Sequence, residues 1–447
     1  MSYRTRRAVA ALALGAGALA PALAAAAAPV RDCPDCIVAG ASRAPLTVPS
    51  GTPLAGYGGF HRRLVFPDVL DRYPHAFWLK PSTGERDALA ARALVLERGD
   101  ARVVWITLDI IGVDRAFTDA VTVGLRAAGV RPGALLISAS HTHSGPGAFV
   151  DSALIGFLTV DRLDAGVRDA LVGAAIRAVR AADASRGPAR VAAGVAPGPA
   201  VVRSRLRQPL DPDVIVLSLR RPDGAPVALV WNFAIHGTML SAKNRRFSGD
   251  VMGAVSATLE RELGVPALFV NGAEGDVSPA RHGARAVPDV ADALAVAVRA
   301  ARDGATPVGE GPLRARTVTV ALPAPRLSLR NCVGRWMPAA LTLPLGEAFP
   351  RETTLTAVAL GDTAWVAMPG EPATALGRRV KAESGFRRTF VAGVSNDNVG
   401  YLVRALDYGK PTYVTCGSLY EADTGERLTD RAIGLLRELS VMPAGTR

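Results

Sequence analysis

The chain has 447 residues, of which 49% are hydrophobic and 21% are charged. This composition excludes a disordered chain and a coiled coil, and the length allows one large domain or two to three small ones. The net charge is +12, but the arginines are scattered and are not interleaved with aromatic residues, which argues against a nucleic-acid-binding protein and favours at most a mild attraction to anionic membranes.

The N-terminal residues are typical of a secretory signal. Three arginines within the first seven residues precede an apolar stretch, and the small residues Ala24–Ala28 offer cleavage sites. We therefore predict a signal peptide at 1–28, a mature domain at 29–447, and a secreted or periplasmic location. An uncleaved anchor helix is the alternative, although the stretch is mostly alanine interrupted by glycine and proline.

Four cysteines follow this leader: Cys33, Cys36, Cys332 and Cys416. An even number in an exported chain favours disulfides. The spacing of Cys33 and Cys36 also suits a metal clip or a redox pair, but no strand precedes them and no second C-x-x-C occurs. We predict a local disulfide between these two, with Cys332–Cys416 as the second bridge.

Apolar runs of strand length alternate with segments of helical periodicity along the rest of the chain. Predicted strands lie at Val103–Gly112, Ala134–Ser140, Val214–Arg220, Pro226–Ile235, Ala267–Asn271, Leu313–Leu322, Thr354–Leu360, Ala364–Met368 and Phe390–Val394. Predicted helices lie at Phe117–Ala128, Arg162–Ala182, Val251–Leu263, Val287–Ala301 and Asp430–Leu439, with another from Pro372. The alternation predicts an α/β fold, namely a single domain with a mixed or mostly parallel sheet covered by helices.

Histidines stand where two of the predicted strands end. His141 and His143 are two residues apart at one strand exit, so both imidazoles point into the same cleft, and His236 follows another apolar strand. A pair of structural histidines is the alternative interpretation. A metallo-β-lactamase pattern is set aside because Gly145 and Pro146 stand where that pattern needs Asp and His.

Acidic and hydroxyl groups follow three other strands. Glu274, Asp276 and Ser278 lie in one Gly-rich loop, Glu371 precedes a predicted helix, and Tyr401 ends the segment NDNVGY. Read alone, these residues also suit turns and helix starts. Together with the histidines they suggest zinc, which accepts His nitrogen and carboxylate oxygen while leaving a position open for water.

In combination and in this order, these segments resemble the neutral/alkaline non-lysosomal ceramidase family. The distinctive segments are HTHSGPG at 141–147 and GDVSP at 275–279, and weaker matches extend from Leu54 to Leu428. The resemblance implies the N-terminal catalytic α/β domain of that family. It also implies that the C-terminal immunoglobulin-like domain is absent, because fewer than 50 residues follow Tyr401.

The resemblance further implies a zinc ion held by His141, His236, Glu371 and Tyr401. His143 would lie beside the metal as a proton donor. Such a site would activate water, stabilise the developing oxyanion and protonate the leaving amine of an amide.

Three more catalytic residues are implied by the family's motifs. Arg203 matches an arginine that binds and polarises the scissile amide, although Val202 replaces the Asn that precedes it in the family. Ser278 matches the active-site serine, as nucleophile or as positioning group. Tyr413, twelve residues after the predicted tyrosine ligand, would stabilise the oxyanion, and Tyr420 is the alternative because a Tyr-Glu dipeptide occurs there.

The function implied by the resemblance is a secreted zinc-dependent amidohydrolase. It would cleave the N-acyl amide bond of ceramide or a related lipid amide, at a membrane surface, into a fatty acid and an amine. Two alternatives are a zinc hydrolase of another amide or ester, such as an N-acyl amino acid or a cell-envelope amide, and a non-catalytic binding module. The interval between His236 and Ser278 is shorter than in the family, so the chemistry is better determined than the substrate.

Overall fold

A computed structural model describes residues 33–441. The predicted signal peptide at 1–28 therefore lies outside the described residues. Within 33–441, no helix is long and apolar enough to cross a membrane. Both predicted disulfides, Cys33–Cys36 and Cys332–Cys416, are formed.

The described strands, numbered in chain order, fall into two main sheets and three small pairs. They are β1 (Ile37–Pro45), β2 (Ala90–Arg98), β3 (Ala101–Leu108), β4 (Ala134–Ala139), β5 (Gly187–Pro197), β6 (Val202–Ser204), β7 (Asp213–Arg220), β8 (Pro226–Phe233), β9 (Ala267–Asn271), β10 (Val277–Pro279), β11 (Thr306–Pro307), β12 (Leu313–Ala321), β13 (Arg326–Ser328), β14 (Thr342–Pro344), β15 (Glu352–Leu360), β16 (Thr363–Ala367), β17 (Glu371–Pro372), β18 (Arg388–Ala392) and β19 (Tyr401–Leu402).

The described helices connect and cover these strands. They are α1 (Arg115–Ala127), α2 (Ala153–Ile155), α3 (Ala165–Ala184), α4 (Asp250–Leu263), α5 (Val287–Asp303), α6 (Leu329–Cys332), α7 (Thr374–Glu383), α8 (Tyr413–Cys416) and α9 (Thr424–Val441), with a π-helical turn at Gly156–Val160 and a 3-10 turn at Gly346–Ala348.

The larger sheet has the order β4-β3-β2-β1-β5-β7-β8-β9, with β11 beside β5, and the second sheet has the order β12-β15-β16-β18. Three pairs within them are parallel, namely β3 with β4, β8 with β9, and β16 with β18. The other neighbours in both sheets are antiparallel. The predicted α/β class and mixed sheet are therefore confirmed.

The two sheets pack face to face and bury an apolar layer between them. Trp105 of β3 stacks on Trp365 of β16 across this layer, with ring centroids 5.5 Å apart. Helices α1, α3, α4 and α5 cover the outer face of the larger sheet, and α7 and α9 cover the second sheet. The result is a four-layer α/β/β/α arrangement in which each sheet has helices on one face only.

Helix α1 shows how local sequence produces a covering helix. The Asp114 carboxylate accepts a hydrogen bond from the Phe117 amide at 2.7 Å, which satisfies one of the free N–H groups at the helix start. Phe117, Val121 and Leu125 recur every four residues and are fully buried against the larger sheet. Burial of this stripe fixes the helix on the sheet.

Candidate metal centre and active site

The predicted ligands all follow the carboxyl ends of strands that belong to parallel pairs. His141 follows β4 and His236 follows β8 in the larger sheet, whereas Glu371 follows β16 and Tyr401 follows β18 in the second sheet. The carboxyl ends of these strands meet at one edge of the molecule, which is where ligands bind in α/β folds. The site therefore lies at the seam between the two sheets.

Backbone contacts join the two loops that carry the histidines. The His143 amide donates to the Gly237 carbonyl at 2.9 Å. The Asn271 side chain donates to the Ile235 carbonyl at 2.9 Å and accepts from the Ile235 amide at 3.2 Å. His141 adopts the left-handed region at φ 63°, which is rare for a non-glycine residue and is tolerated where surrounding contacts enforce it. The two hydrogen bonds of the Asn271 side chain to Ile235 hold the start of the His236 loop in place.

Glu371 and Tyr401 are brought together by their own backbones. They are directly opposite each other in the short parallel pair of β17 and β19. Gly275 makes the close approach possible, because a Cβ atom at this position would lie 2.3 Å from the Glu371 carbonyl oxygen. The glycine of the GDVSP motif thus allows the backbone to pack closely against Glu371, in addition to the side chains that the motif brings to the site.

The four predicted ligands converge on one point. His236 Nε2 lies 3.0 Å from His141 Nε2, 3.3 Å from Glu371 Oε2 and 3.4 Å from the Tyr401 hydroxyl oxygen. His141 Nε2 lies 3.5 Å from the same Glu371 oxygen. Both histidine side chains are buried. The structure therefore brings together all four residues for which the sequence predicts metal ligation.

The orientation of the two histidine rings suits the binding of a cation. Nδ1 of His141 faces the Ile111 carbonyl at 2.6 Å and Nδ1 of His236 faces the Glu274 carbonyl at 3.2 Å. A carbonyl only accepts, so each Nδ1 carries a proton, and Nε2 is the ring atom that each histidine turns toward the cluster. Burial and the neighbouring His141 lower the pKa of His236 to about 3, so the His236 imidazole is neutral at pH 7 and its Nε2 lone pair is available to a cation.

The Glu371 carboxylate is a second feature of the cluster that suits a cation. Glu371 Oε2 is buried and has no hydrogen-bond partner among the described residues. Such a group is costly to bury unless it meets a cation. Two imidazole nitrogens, a carboxylate and a phenol form a donor set that suits zinc, with Nε2 rather than Nδ1 as the ligating atom. A ring nitrogen of His143 also lies within 4.8 Å of one from His141 and one from His236.

A second carboxylate, Glu274, lies beside this cluster. Its ligand oxygen, one from Glu371 and a ring nitrogen of His141 lie within 4.8 Å of one another, and neither Glu274 oxygen has a hydrogen-bond partner among the described residues. Burial and the adjacent Glu371 raise the pKa of Glu274 well above its ordinary value. The sequence pattern identified Glu274 as a loop residue and gave it no place in the metal site.

The arginine that reaches the cluster is Arg205, which the sequence analysis did not identify. Its Nε donates to Ser278 Oγ at 2.7 Å, and its Nη1 lies 3.3 Å from both His236 Nε2 and the Tyr401 hydroxyl oxygen. Ser278 belongs to β10, which pairs with β6 just before Arg205. The available signal was the second arginine in the segment VRSR, two positions after the residue that matches the family motif.

Arg203 occupies a different place. It lies opposite Ser278 in the β6–β10 pair and is exposed. Among the described hydrogen bonds and ion pairs around the four predicted ligands, the guanidinium that takes part is that of Arg205. The catalytic role of Arg203 stays a prediction that the geometry does not support, whereas Arg205 lies within contact distance.

His143 and Tyr413 line a cavity of about 330 Å³ that opens beside the cluster. His143 Nδ1 donates to the Gly56 carbonyl at 3.1 Å, so Nε2 keeps its lone pair and has no partner among the described residues. The Tyr413 ring lies 5.9 Å from that of Tyr401. Tyr420, in contrast, is buried in the core and donates to the Pro350 carbonyl at 2.8 Å. The structure therefore places Tyr413, and not Tyr420, at the cavity.

Sequence and structure comparisons agree on the kind of protein that this chain is similar to. Residues 76–317 match the sequence profile described as neutral/alkaline non-lysosomal ceramidase, N-terminal. The chain is 28% identical over 213 residues to the neutral ceramidase of Pseudomonas aeruginosa, a match covering 42% of this chain and 31% of that protein. It is 30% identical over 173 residues to the neutral ceramidase of Mycobacterium tuberculosis, covering 32% and 26%.

The fold similarity extends further than the sequence similarity. The crystal structure of the P. aeruginosa neutral ceramidase matches with a TM-score of 0.77 at 18% identity, over 92% of this chain and 76% of that chain. The sequence matches, in contrast, span under a third of the length of the curated relatives. The matched residues 76–317 include His141, His143, His236 and Ser278.

Proposed function

The chain belongs to the neutral/alkaline non-lysosomal ceramidase family, and from that membership we propose that it is an exported zinc-dependent amidohydrolase that cleaves the N-acyl amide bond of ceramide or a related lipid amide. The observation that carries the proposal is the convergence of His141, Glu371 and Tyr401 on His236 Nε2, each with a donor atom within 3.4 Å of it, where His236 lines the cavity.

These four residues would hold the zinc ion. When bound, zinc supplies a Lewis acid that polarises an acyl carbonyl and lowers the pKa of water. The chain's own residues supply the remaining functions. The hydrogen bonds from Nδ1 of both histidines to backbone carbonyls fix the ring orientation and leave Nε2 available, as the outer-shell partners of metal-ligating histidines generally do.

His143 is suited to move the proton. Burial, followed by the neighbouring His141 and His236, lowers the pKa of His143 well below its ordinary value, so the ring is neutral at pH 7. Its unpartnered Nε2 is therefore ready to accept a proton from the attacking water and to pass it to the amide nitrogen, which leaves as an amine. The water oxygen stays with the acyl group, and the products are a carboxylic acid and an amine.

Arg205 and Tyr413 would receive the acyl group, and Ser278 would hold Arg205 in position. Arg205 presents a fixed cation at the cavity wall, because its Nε is held by Ser278 Oγ. A preorganised cation stabilises the oxyanion that forms as the amide carbonyl is attacked. Tyr413 lines the same cavity and offers a hydroxyl group. This assignment gives Ser278 a positioning role through Arg205.

Hydrolysis of a smaller N-acyl amide, such as an N-acyl amino acid, is the competing function. The cavity volume of about 330 Å³ favours it, because ligand pockets range from about 300 to 1,000 Å³ and this one lies at the small end. In the ceramide hydrolase that we propose, the cavity holds the amide and the beginning of the chains, and the remaining hydrocarbon lies outside it.

The test is turnover of ceramide by the purified protein, before chelation, after chelation and after zinc is restored, with the zinc content measured in parallel. We expect chelation to abolish release of the fatty acid and zinc to restore it. His236→Ala should lose both zinc and turnover, whereas Ser278→Ala should keep zinc and lose turnover. A His236→Ala protein with full zinc and activity would refute the site.

A zinc-loaded protein that releases no fatty acid from ceramide, but does so from N-acyl amino acids, would establish the competing function. A protein that binds no zinc and hydrolyses none of these amides would identify the non-catalytic binding module instead.

A further inference from the structure

Glu274 has no role in the proposed amide hydrolysis, yet it presents a carboxylate to the predicted metal ligands. It follows β9 of the larger sheet, and its side chain is fully buried. One of its oxygens, one Glu371 oxygen and a ring nitrogen of His141 lie within 4.8 Å of one another. Donor atoms bound to one ion at about 2.0–2.2 Å are up to about 4.4 Å apart, so these three atoms reach one ion with little movement.

The backbone of Glu274 is fixed relative to one of the predicted ligands. Its carbonyl accepts a hydrogen bond from Nδ1 of His236 at 3.2 Å and another from the Val277 amide at 2.8 Å. Outer-shell partners of this kind orient metal-ligating histidines. The residue that orients His236 therefore also supplies the carboxylate that faces the cluster.

Gly393 leaves the room that this carboxylate occupies. A Cβ atom at position 393 would lie 2.6 Å from Glu274 Oε2 and 2.4 Å from the Gly272 carbonyl oxygen. The Gly393 amide donates to the Asn271 carbonyl at 3.0 Å, which joins the loop after β18 to the end of β9. The Glu274 carboxylate thus lies in the seam between the two sheets, and Glu274 is not among the described residues that line the cavity.

Hydrogen bonds among the described residues do not neutralise the two neighbouring carboxylates. Both Glu274 oxygens and Glu371 Oε2 lack a hydrogen-bond partner, so the two side chains do not share a proton with each other. Arg205 reaches the cluster but donates its Nε to Ser278. Burial of carboxylates is costly unless a cation compensates them, and two carboxylates balance the charge of one divalent cation.

From these contacts we propose that Glu274 is a fifth protein ligand of the metal centre, and that this second carboxylate allows the centre to hold Mn²⁺ as well as zinc. Glu274 approaches the ion from the seam, which leaves the cavity side to a water molecule. Six ligands rich in oxygen suit Mn²⁺, whereas zinc is content with four. The inference rests on the proposed function, because it takes the four predicted ligands as ligands of one ion.

The first experiment measures the affinity of the metal-free full chain for Zn²⁺ and, separately, for Mn²⁺. We expect Glu274→Gln to lower the zinc affinity by about tenfold and the Mn²⁺ affinity by about a hundredfold, the range found when a partner of a metal site is removed. The variant keeps four ligands for zinc, whereas Mn²⁺ loses one of six. Unchanged affinities for both ions would overturn the inference, and an equal decrease for both would overturn the six-ligand arrangement.

Asp276→Asn is the matched control, because it removes a buried carboxylate from the same loop. Asp276 Oδ1 already accepts hydrogen bonds from the amide and the hydroxyl of Thr374, both at 2.7 Å. We expect this variant to change both metal affinities less than Glu274→Gln does. Equal decreases in the two variants would show that the loss of one negative charge is sufficient, and would overturn direct ligation by Glu274.

Stability without metal separates a ligand from a structural residue. A buried carboxylate without a partner costs free energy, so Glu274→Gln should raise the Tm of the chelated protein or leave it unchanged. The increase in Tm on addition of zinc should be smaller for this variant than for the wild type. A lower Tm of the chelated variant, combined with an unchanged zinc-induced increase, would assign Glu274 a structural role and overturn the inference.

Amide turnover distinguishes failure of this inference from failure of the proposed function. Metal affinities that depend on Glu274, in a protein that cleaves neither ceramide nor N-acyl amino acids, would refute the proposed function and leave the fifth ligand standing. Loss of zinc in His236→Ala with unchanged metal affinities in Glu274→Gln would overturn the fifth ligand and leave the proposed function standing. A wild-type chain that binds neither ion would refute both.

Discussion

At the scale of single residues, the site depends on which nitrogen and which arginine face the cavity. Motif spacing located His141, His236, Glu371 and Tyr401, because each stands just after a buried apolar strand. The same reasoning selected Arg203 by its match to a family motif. It could not identify Arg205, because β6 ends at Ser204 and side-chain direction beyond a strand end depends on the loop conformation.

The two arginines provide a matched pair of variants. Arg205→Ala should lower kcat/KM by about 10²–10³ with zinc content unchanged, because it removes the cation held at the cavity wall. Arg203→Ala should stay within about twofold of wild type, because its side chain is exposed. Steady-state kinetics with zinc analysis checks both. A larger loss of kcat/KM for Arg203→Ala than for Arg205→Ala would assign the catalytic role to Arg203 instead.

The buried imidazole of His236 predicts a specific pH dependence of stability. Its pKa is about 3 in the folded chain and about 6.5 in the unfolded chain, so between these values only the unfolded chain binds the proton. The contribution to the free energy of unfolding is fully present above pH 6.5. It decreases by about 1.4 kcal/mol per pH unit as the pH falls toward 3.

Urea unfolding in the presence of a chelator, at several pH values, measures this contribution. His236→Gln replaces the imidazole with a neutral side chain, so its free energy of unfolding should fall less steeply below pH 6.5 than that of the wild type. Parallel curves for the two proteins would contradict the assignment of a neutral, buried His236.

At the scale of elements, hydrophobic patterning recovered most of the described helices and nine of the thirteen strands in the two main sheets, but not the pairing of the strands or the short strands of the small pairs. The predicted Ala267–Asn271 strand coincides with β9, and the helix predicted at Val251–Leu263 coincides with α4 to within one residue. Strand β1 was missed because Ala, Gly and Arg dilute its apolar pattern. The second sheet was not foreseen, because an apolar run indicates a buried strand without saying which sheet covers it.

We expect removal of the Cys332–Cys416 disulfide to weaken substrate binding as well as to lower stability. It closes a loop between residues separated by 84 positions and anchors α8, which carries Tyr413. Replacing both cysteines with serine should lower the free energy of unfolding by about 2–5 kcal/mol and should raise KM while zinc content is retained. Denaturant unfolding and kinetics measure these effects.

The Cys33–Cys36 pair serves as the control for this variant. Its sequence separation is only 3, so it constrains a much shorter loop of the unfolded chain, and neither cysteine lines the cavity. Serine substitutions there should leave KM unchanged. An equal increase in KM in both double variants would show that the increase does not arise from a displacement of Tyr413.

At the scale of the whole molecule, the site joins the two sheets, because two of the four predicted ligands follow strands of the larger sheet and two follow strands of the second sheet. A cation bound there adds a cross-link between layers that are also joined by apolar contacts such as that of Trp105 with Trp365 and by hydrogen bonds such as that from the Asn232 side chain to the Val391 carbonyl. Metal binding should therefore stabilise the fold as a unit. This coupling could not be predicted from the sequence, because the pattern gave the strands but not their assignment to two sheets.

Thermal unfolding tests the coupling without an activity assay. Zinc at a free concentration about 1,000 times its Kd should add about 4 kcal/mol to the free energy of unfolding, and chelation should lower Tm by several degrees. His236→Ala should show no zinc-dependent change in Tm. A wild-type Tm that is indifferent to both zinc and chelator would show that the four side chains do not bind the ion.

The wide separation of the ligands along the chain also determines when the site can form during translation. His141 and Tyr401 are 260 positions apart, and Glu371 and Tyr401 emerge from the ribosome long after the larger sheet is complete. A nascent chain that has reached α5 holds only two of the four predicted ligands, and we expect it to bind the ion more weakly than the complete chain. Metal loading is therefore expected to be one of the last events in the maturation of this protein, and retained zinc would serve as a marker of a fully assembled molecule.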